Sequence, residues 1–593
     1  PHSRQPGRRH PLGRSTRRGG RGIQVRCGLG ERSGEHGCPA YLDAPRCVPA
    51  ASRRPDLGGR LCSGPRRGGA ALELEGNITT GETVVLFGDG VSSDGAIRNA
   101  SGANTISGDL VLNADSRVNS EAGTLTLAGE INGETGGGSP LNADLALGGA
   151  GNGVVSGTFG SQIIELLKDG AGTWTLSGNN LHTGQTTIRA GALRAESATA
   201  LGSTAQGTNV SSGGALELAG GLTIAGEALT LNGAGVSNGG ALRNISGDNT
   251  YSGTIALGSD ARINSDAGTL AIQGLRQTDS SSYRVSLGGA GDGAVNGNIL
   301  VYGGLTKDGA GTWTLNGFSA SEGTTRVQSG VLNIRRGDAL GLSYTRTEVS
   351  SGAALELQGG FTVQNDLTLN GTGISGGGAL RNISGDNTYS GDITIASDAR
   401  INSDAERLTL TGDIGGTANV YFGGAGEGTF SGAFDNAIIV RKDGAGTWTF
   451  SGVDKTINNF RISEGELVVD DAAVTQTGVQ SIIGLGSTVS TLTINGPNAS
   501  WTTTNGDFSV GAAGGQGRLE ILGGGTLSAA FSNIGNGGLS SGSALVSGSG
   551  SSWTVTDTFD HGLTTIADLT IADGGEVLAD TFHIALNRGA QAT

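Results

Sequence analysis

The stretch KDGAGTWTL, Lys168 to Leu176, decides how this chain folds. It returns unchanged at Lys307 and as KDGAGTWTF at Lys442, so the copies are nearly evenly spaced. Asp-Gly is a turn signal, because Gly accepts the positive φ of a tight reversal and Asp can bond its own backbone. A strand should follow, with Trp174 and Leu176 on one face of the pleat and Thr173 and Thr175 on the other. Turn, short half-apolar strand and turn, repeated over a long chain, predict a stacked β architecture.

Composition narrows the class. Only 4% of the 593 residues are aromatic, none is Met and 112 are Gly, which argues against a conventional large globular core. With 112 Gly and 10 Pro, the chain stays under the roughly 25–30% at which low-complexity disorder becomes the default. The short runs of Leu, Ile, Val and Thr instead supply repeated strands. Apolar runs such as Thr83 to Phe87 fall far short of the roughly 18 residues that a membrane helix requires.

The segment 1–68 breaks with the rest. It holds 15 of the 38 Lys and Arg but 4 of the 53 Asp and Glu, eight of the ten prolines, three of the six histidines, and all four cysteines: Cys27, Cys38, Cys47 and Cys62. It shows neither period-2 alternation nor a helical stripe, so 1–68 is expected to be unstructured. The four cysteines stand well apart and lack the close C-x₂₋₄-C pairing of zinc sites. A basic arm is one account. We favour a frame error: LCSGPRRG from Leu61 back-translates so that the next frame reads SAVVPAG before GAALELEG, matching TNVSSGGALEL from Thr208 and TEVSSGAALEL from Thr347. With no apolar h-region and no initial Met, a targeting role is disfavoured. The segment 69–593 carries 23 basic against 49 acidic groups, a surface that repels phosphate backbones, so no nucleic-acid partner is expected.

From Gly69 three long units repeat in register. They open with GAALELEG at Gly69, GALELAGG at Gly214 and AALELQGG at Ala353, each with two Leu on one face around an outward Glu. Next come IRNASGANTISG at Ile97 and LRNISGDNTYSG at Leu242 and Leu380, then SRVNSEAGTL at Ser116, ARINSDAGTL at Ala261 and ARINSDAERL at Ala399. The division is 1–68, 69–213, 214–352, 353–470 and 471–593, the last holding two shorter repeats around Trp501 and Trp553. Strands this short can bury an apolar face only by stacking on neighbours.

The runs LTKDGAGTWTLNG from Leu305 and KDGAGTWTLSGNNLHTGQTTIRAGAL from Lys168 resemble the autotransporter-associated β-strand repeat of bacterial autotransporter passenger domains. The likeness runs from Gly69 to about Asp470, and the third unit departs from it after Ser451. It implies an all-β chain: a right-handed parallel β-helix, or solenoid, from about residue 69 onward, displayed on or released from a Gram-negative cell. Its partners would be host or neighbouring-cell surface molecules. The family's translocator β-barrel, expected in the full-length protein, has no counterpart among these strands, so the chain is expected to be an internal piece of a longer product.

No residue is assigned a catalytic, cofactor-binding or metal-binding role, and the chain is expected not to be an enzyme. The best contrary candidate is Asp260, Arg262, Asn264 and Asp266, placed by period 2 on one outward face. That set returns as Asp398, Arg400, Asn402 and Asp404, and nearly so as Asp115, Arg117, Asn119 and Glu121, where a single active site needs one copy. Cross-strand ion pairing is the simpler account. The leading expectation is a non-catalytic passenger fragment serving as a surface-exposed or secreted structural stalk or adhesin-like scaffold; a carbohydrate-active β-helix enzyme using Asp260, Arg262 and Asp266, and a damaged gene product without function, are the alternatives. The three glycine-rich phrases GGAGNG at Gly148, GGAGDG at Gly288 and GGAGEG at Gly423 carry an acidic or amide position one place early for calcium repeats and are expected to be turns. Trp174, Trp313 and Trp448 are expected in the core.

Overall fold

The structure, a computed structural model, describes residues 22–27, 70–134, 141–435, 438–562, 566–584 and 591–592. Among them are strands, turns and only three short 3-10 turns, Val91–Ser93, Val236–Asn238 and Ile374–Gly376, which occupy equivalent places in the three long units. The chain forms two compact units, Pro1–Gly207 and Thr208–Thr593. Each is a parallel β-solenoid.

In the first unit three rows of strands stack. One row runs Ala70–Glu75, Ile97–Ser101, Ser116–Ser120, Ala143–Gly148, Ile163–Lys168 and Thr186–Ile188, every neighbour parallel. A second runs Thr79–Thr80, Ala103–Ile106, Thr124–Leu127, Asn152–Val155, Thr173–Leu176 and Gly191–Ala195. The third holds Val84–Leu86, Leu110–Leu112 and Ile131–Gly133. In strands such as Thr124–Leu127 and Thr173–Leu176 one face is buried and the alternate positions are half-exposed, as a strand covered on one side requires. A further strand, Gly22–Cys27, lies antiparallel to Ala70–Glu75. The expectation for 1–68 did not include it; the rest of that segment lies outside the described residues.

The second unit is built alike, and its rows show what the repeat length does. Trp313 stacks on Leu332, then Leu355, Leu380, Ile401, Phe422 and Lys442, each one coil further along. Lys307, just before Trp313 in the chain, begins a different row through Val327, Val349, Leu369, Ile395 and Gly416. The next copy of the lysine therefore stands on the face that carried the previous tryptophan. The distance from one nonapeptide to the next is six coils and one further face, so the copy at Lys442 is turned by one face relative to the copy at Lys307.

Trp174, Trp313 and Trp448 are fully buried, as expected. Directly beneath each ring lies a glycine of the previous coil, Gly153, Gly293 or Gly428, in register with it. The indole fills the place that a side chain of that coil would take: a Cβ on Gly293 would stand 2.4 Å from the Trp313 ring. The expected outward Glu of the GALEL phrases is covered rather than wet. Glu217 and Glu356 are buried, under Arg243 and Arg381 of the next coil.

Aspartates hold the coils in register at their corners. Asp366 Oδ1 accepts the backbone N–H of Asp392 at 3.3 Å, Asp392 that of Asp413 at 3.0 Å, and Asp413 that of Ala433 at 2.8 Å. Asp260, Asp398 and Asp248 do the same for Arg284, Asn419 and Thr269. Each carboxylate satisfies a backbone donor at or just before the start of a strand or β-bridge, which would otherwise be left to solvent. Gly293→Ala is expected to destabilise the second unit by about 1–3 kcal/mol through overpacking against Trp313, measured as a lower midpoint in urea unfolding.

Candidate functional site

The lysine that opens the nonapeptide does not point to solvent. Lys168, Lys307 and Lys442 are buried, and each ammonium is enclosed by three backbone carbonyls. Lys307 Nζ donates to Asp308 O, Gly309 O and Ser329 O, all at 2.9 Å; Lys168 Nζ donates to Asp169 O, Gly170 O and Ala190 O, all at 2.8 Å. Lys442 uses Asp443 O, Gly444 O and Glu464 O at 3.3, 2.6 and 3.0 Å. Two acceptors belong to the Asp-Gly turn and the third to the coil that follows, so one cation ties consecutive coils together. The glycine after that third carbonyl has φ 66° in Gly330, and a Cβ there would meet Lys307 Nζ at 2.8 Å. Burial pulls each lysine down to about 8, while three acceptors facing three N–H donors favour the charged form; at neutral pH the group is an ammonium.

The Asp of the same turn holds the arginine of the outward set. Arg262 makes a two-pronged pair with Asp308, Nη1 to Oδ2 at 2.7 Å and Nη2 to Oδ1 at 2.5 Å. Arg117 pairs with Asp169 and Arg400 with Asp443 at the equivalent places. Asp266 is taken by Arg243, Nε to Oδ2 at 2.6 Å, and Arg243 also reaches Glu217. Arg381 likewise bridges Glu356 and Asp404. Asn402 donates to Gly377 O at 2.7 Å and Asn119 to Asp94 O at 2.8 Å. The structure thus keeps Asp260, Arg262, Asn264 and Asp266 along one strand edge, but gives each charged group its own partner. The pairs join neighbouring or next-but-one coils, where a half-exposed pair contributes at most about 1 kcal/mol.

The glycine-rich phrases have similar employment. The first carbonyl of each, Gly148, Gly288 or Gly423, accepts the indole N–H of Trp174, Trp313 or Trp448 at 3.0, 3.1 and 3.1 Å. Asn152 and Asp292 accept the N–H of Thr173 and Thr312, and Glu427 pairs with Arg407. Among the described residues no three His, Cys, Asp or Glu converge as metal ligands do. His182 is buried edge-on to Phe159, with Nε2 2.9 Å from Thr186 Oγ1, and burial drives it down to about 4. His583 lies 2.8 Å from Asp560 on the surface. A cavity of about 290 Å³ lined by Arg336, Asp338, Ser343, Thr362, Gln364 and Asn365 contains one carboxylate, and Arg336 already holds it.

Two kinds of buried group were not singled out from the sequence. The lysines carried a signal, since Lys precedes Asp-Gly in all three copies. Glu227 carried none, because its counterpart in the next unit is Asn365. Glu227 is buried, accepts a hydrogen bond from Thr208 Oγ1 at 2.8 Å, and has one buried carboxylate oxygen without a hydrogen-bond partner. Burial raises it from the ordinary 4.5 to about 7. Below pH 4.5 the carboxyl is neutral folded or unfolded; from there to about 7 only the unfolded chain loses the proton, so folding weakens as pH rises. Glu227→Gln is therefore expected to raise the urea midpoint at pH 8 and to change it little at pH 4.

With this geometry in hand, the likeness to known proteins is specific. The family described as passenger-associated-transport-repeat matches residues 166–195, 305–334 and 440–469, each beginning just before the buried lysine and running through the strand after the tryptophan. The chain is also similar to the adhesin BmaC autotransporter of Brucella suis biovar 1 (strain 1330), 27% identical over 355 residues. That alignment takes in 56% of this chain and 9% of the relative, so the chain spans a small fraction of that protein's length. No solved structure matches. The chain thus carries three copies of the passenger-associated-transport-repeat, each folded as parallel strands of a β-solenoid.

Proposed function

We propose that this chain is a non-catalytic adhesive segment of an autotransporter passenger, displayed on or released from the surface of a Gram-negative bacterium. The observation that carries this is the internal use of the repeated charges. Arg117, Arg262 and Arg400 each hold the Asp of their own repeat's turn, and Asp260 and Asp398 each cap a strand of the next coil. Groups committed in every copy to holding coils together are a scaffold's, and the similarity to an adhesin supports the same role. The partners on this view are molecules of host or neighbouring-cell surfaces. A translocator β-barrel elsewhere in the whole protein carries the passenger across the outer membrane. The excess of acid over base from residue 69 onward disfavours nucleic acid.

The test is binding of the purified, fluorescently labelled chain to cultured cells and to bacteria of its own kind. Saturable binding that unlabelled chain displaces, with no release of reducing sugar ends from polysaccharides, is the expected result. Absence of binding to every surface, or depolymerisation that disappears when Asp260, Arg262 and Asp266 are replaced together, contradicts it.

A further inference from the structure

One outward row in the second unit differs between the copies. Arg400, Tyr421, Arg441 and Arg461 stand in register on four successive parallel strands. The Tyr421 ring is held between two guanidinium groups, with Arg400 Cζ 5.8 Å and Arg441 Cζ 5.3 Å from its centre. The places of Tyr421, Arg441 and Arg461 are filled by Ser286, Thr306 and Arg326 in the preceding repeat, and by Ala146, Leu167 and Thr187 in the first. Repetition explains the Arg–Asp pairs of the outward sets, but not this row.

The charges here are also differently matched. Arg400 has Asp443, as its counterparts have theirs. Arg441 forms no ion pair among the described residues, and its Nε is buried without a hydrogen-bond partner. Arg461 reaches the neutral amide of Gln480, Nη2 to Oε1 at 2.6 Å. In the preceding repeat the equivalent Arg326 meets the carboxylate of Glu348 on the next coil at 3.2 Å, where Arg461 instead faces Ile482. A carboxylate present in one copy is thus missing in the other, and a second guanidinium has been added beside the gap. Parallel strands set these two arginines about 4.8 Å apart along the stacking direction.

We propose that Tyr421, Arg441 and Arg461 form a docking strip for a carboxylated polysaccharide, a polymer of uronic acid units lying along the stacked strands. Guanidinium forks take carboxylates two-pronged, as Arg262 does with Asp308 on the same kind of strand. The two guanidiniums hold the Tyr421 ring within the row, and its phenolic hydroxyl adds a hydrogen-bonding group that a sugar hydroxyl can meet. A polymer with one carboxylate per sugar matches a row of regularly spaced cations better than a folded acidic protein, whose charges follow no such row. The strip lies in an otherwise acidic region, which disfavours the dense charge of nucleic acid. The inference rests on the adhesive role and names a ligand class for it; it is measurable without cells, so either idea can fail alone.

The experiment measures binding of the full chain to immobilised polygalacturonate, poly-L-glutamate and duplex DNA at low and moderate salt. Saturable binding to polygalacturonate, stronger than to the other two, is expected, weakening about tenfold or more on Arg441→Gln with Arg461→Gln and staying unchanged on Arg326→Gln. Lack of polygalacturonate binding, equal binding to poly-L-glutamate or DNA, or an unaffected double variant overturns the proposal. If the double variant loses its strand circular dichroism, Arg461→Gln alone decides: weakened binding supports the strip and unchanged binding overturns it, since that guanidinium touches a side-chain amide and leaves the core alone.

Discussion

A strand of three to six residues with one apolar face has too little surface to shelter that face by itself. In this chain such strands lie parallel and in register on the strand one coil away, and the inward side chains form rows: Trp313, Leu332, Leu355, Leu380, Ile401 and Phe422 in one of them. All six are buried. A one-residue slip would turn the whole row outward, so register is the quantity that the rest of the structure protects. The corner aspartates fix it through backbone N–H groups, the arginine pairs fix it on the outer face, and the buried lysines fix it inside.

The lysines show how a polar group becomes part of such a core. A tight Asp-Gly reversal leaves carbonyls facing inward with no strand partner, and an unsatisfied buried carbonyl is costly. Placing an ammonium among two of them and a third carbonyl from the coil that follows satisfies all three at once, and only a long unbranched side chain reaches from the strand end. Lys455 repeats the solution outside the nonapeptide, donating to Gly432 O, Ser451 O and Val453 O. The tryptophan that follows needs a glycine beneath it, and the glycine-rich phrase one coil earlier supplies it together with the carbonyl for the indole N–H. The nonapeptide and the glycine-rich phrase are two halves of one packing unit.

That connection marks the limit of what the sequence revealed. Period-2 alternation correctly placed Trp174 and Leu176 inside, and the repetition of Asp260, Arg262, Asn264 and Asp266 correctly pointed to ion pairing. The partners were another matter. Arg262 pairs not with the acids flanking it but with Asp308, far along the chain, because two coils bring that turn alongside. Similarly, a GALEL phrase reads as an apolar strand with a wet Glu, yet Arg243 and Arg381 from the next coil cover Glu217 and Glu356. The rotation by one face between copies was hidden as well, since the length of a long unit does not say how many coils it contains. The Arg441 row was illegible for the opposite reason: it lies where the third copy departs from the others, with Arg441 in the place of Thr306, so no recurrence in the sequence marks it.

The in-register stacking is tested most directly by proximity. Thr409 and Thr429 are outward neighbours on adjacent strands, and the chain has no cysteine after Cys62. With the four native cysteines changed to serine, cysteines at 409 and 429 labelled with pyrene should give strong excimer emission in the native chain and lose it on unfolding in urea. Monomer emission alone from the native doubly labelled chain would contradict the stacking on which the whole account rests.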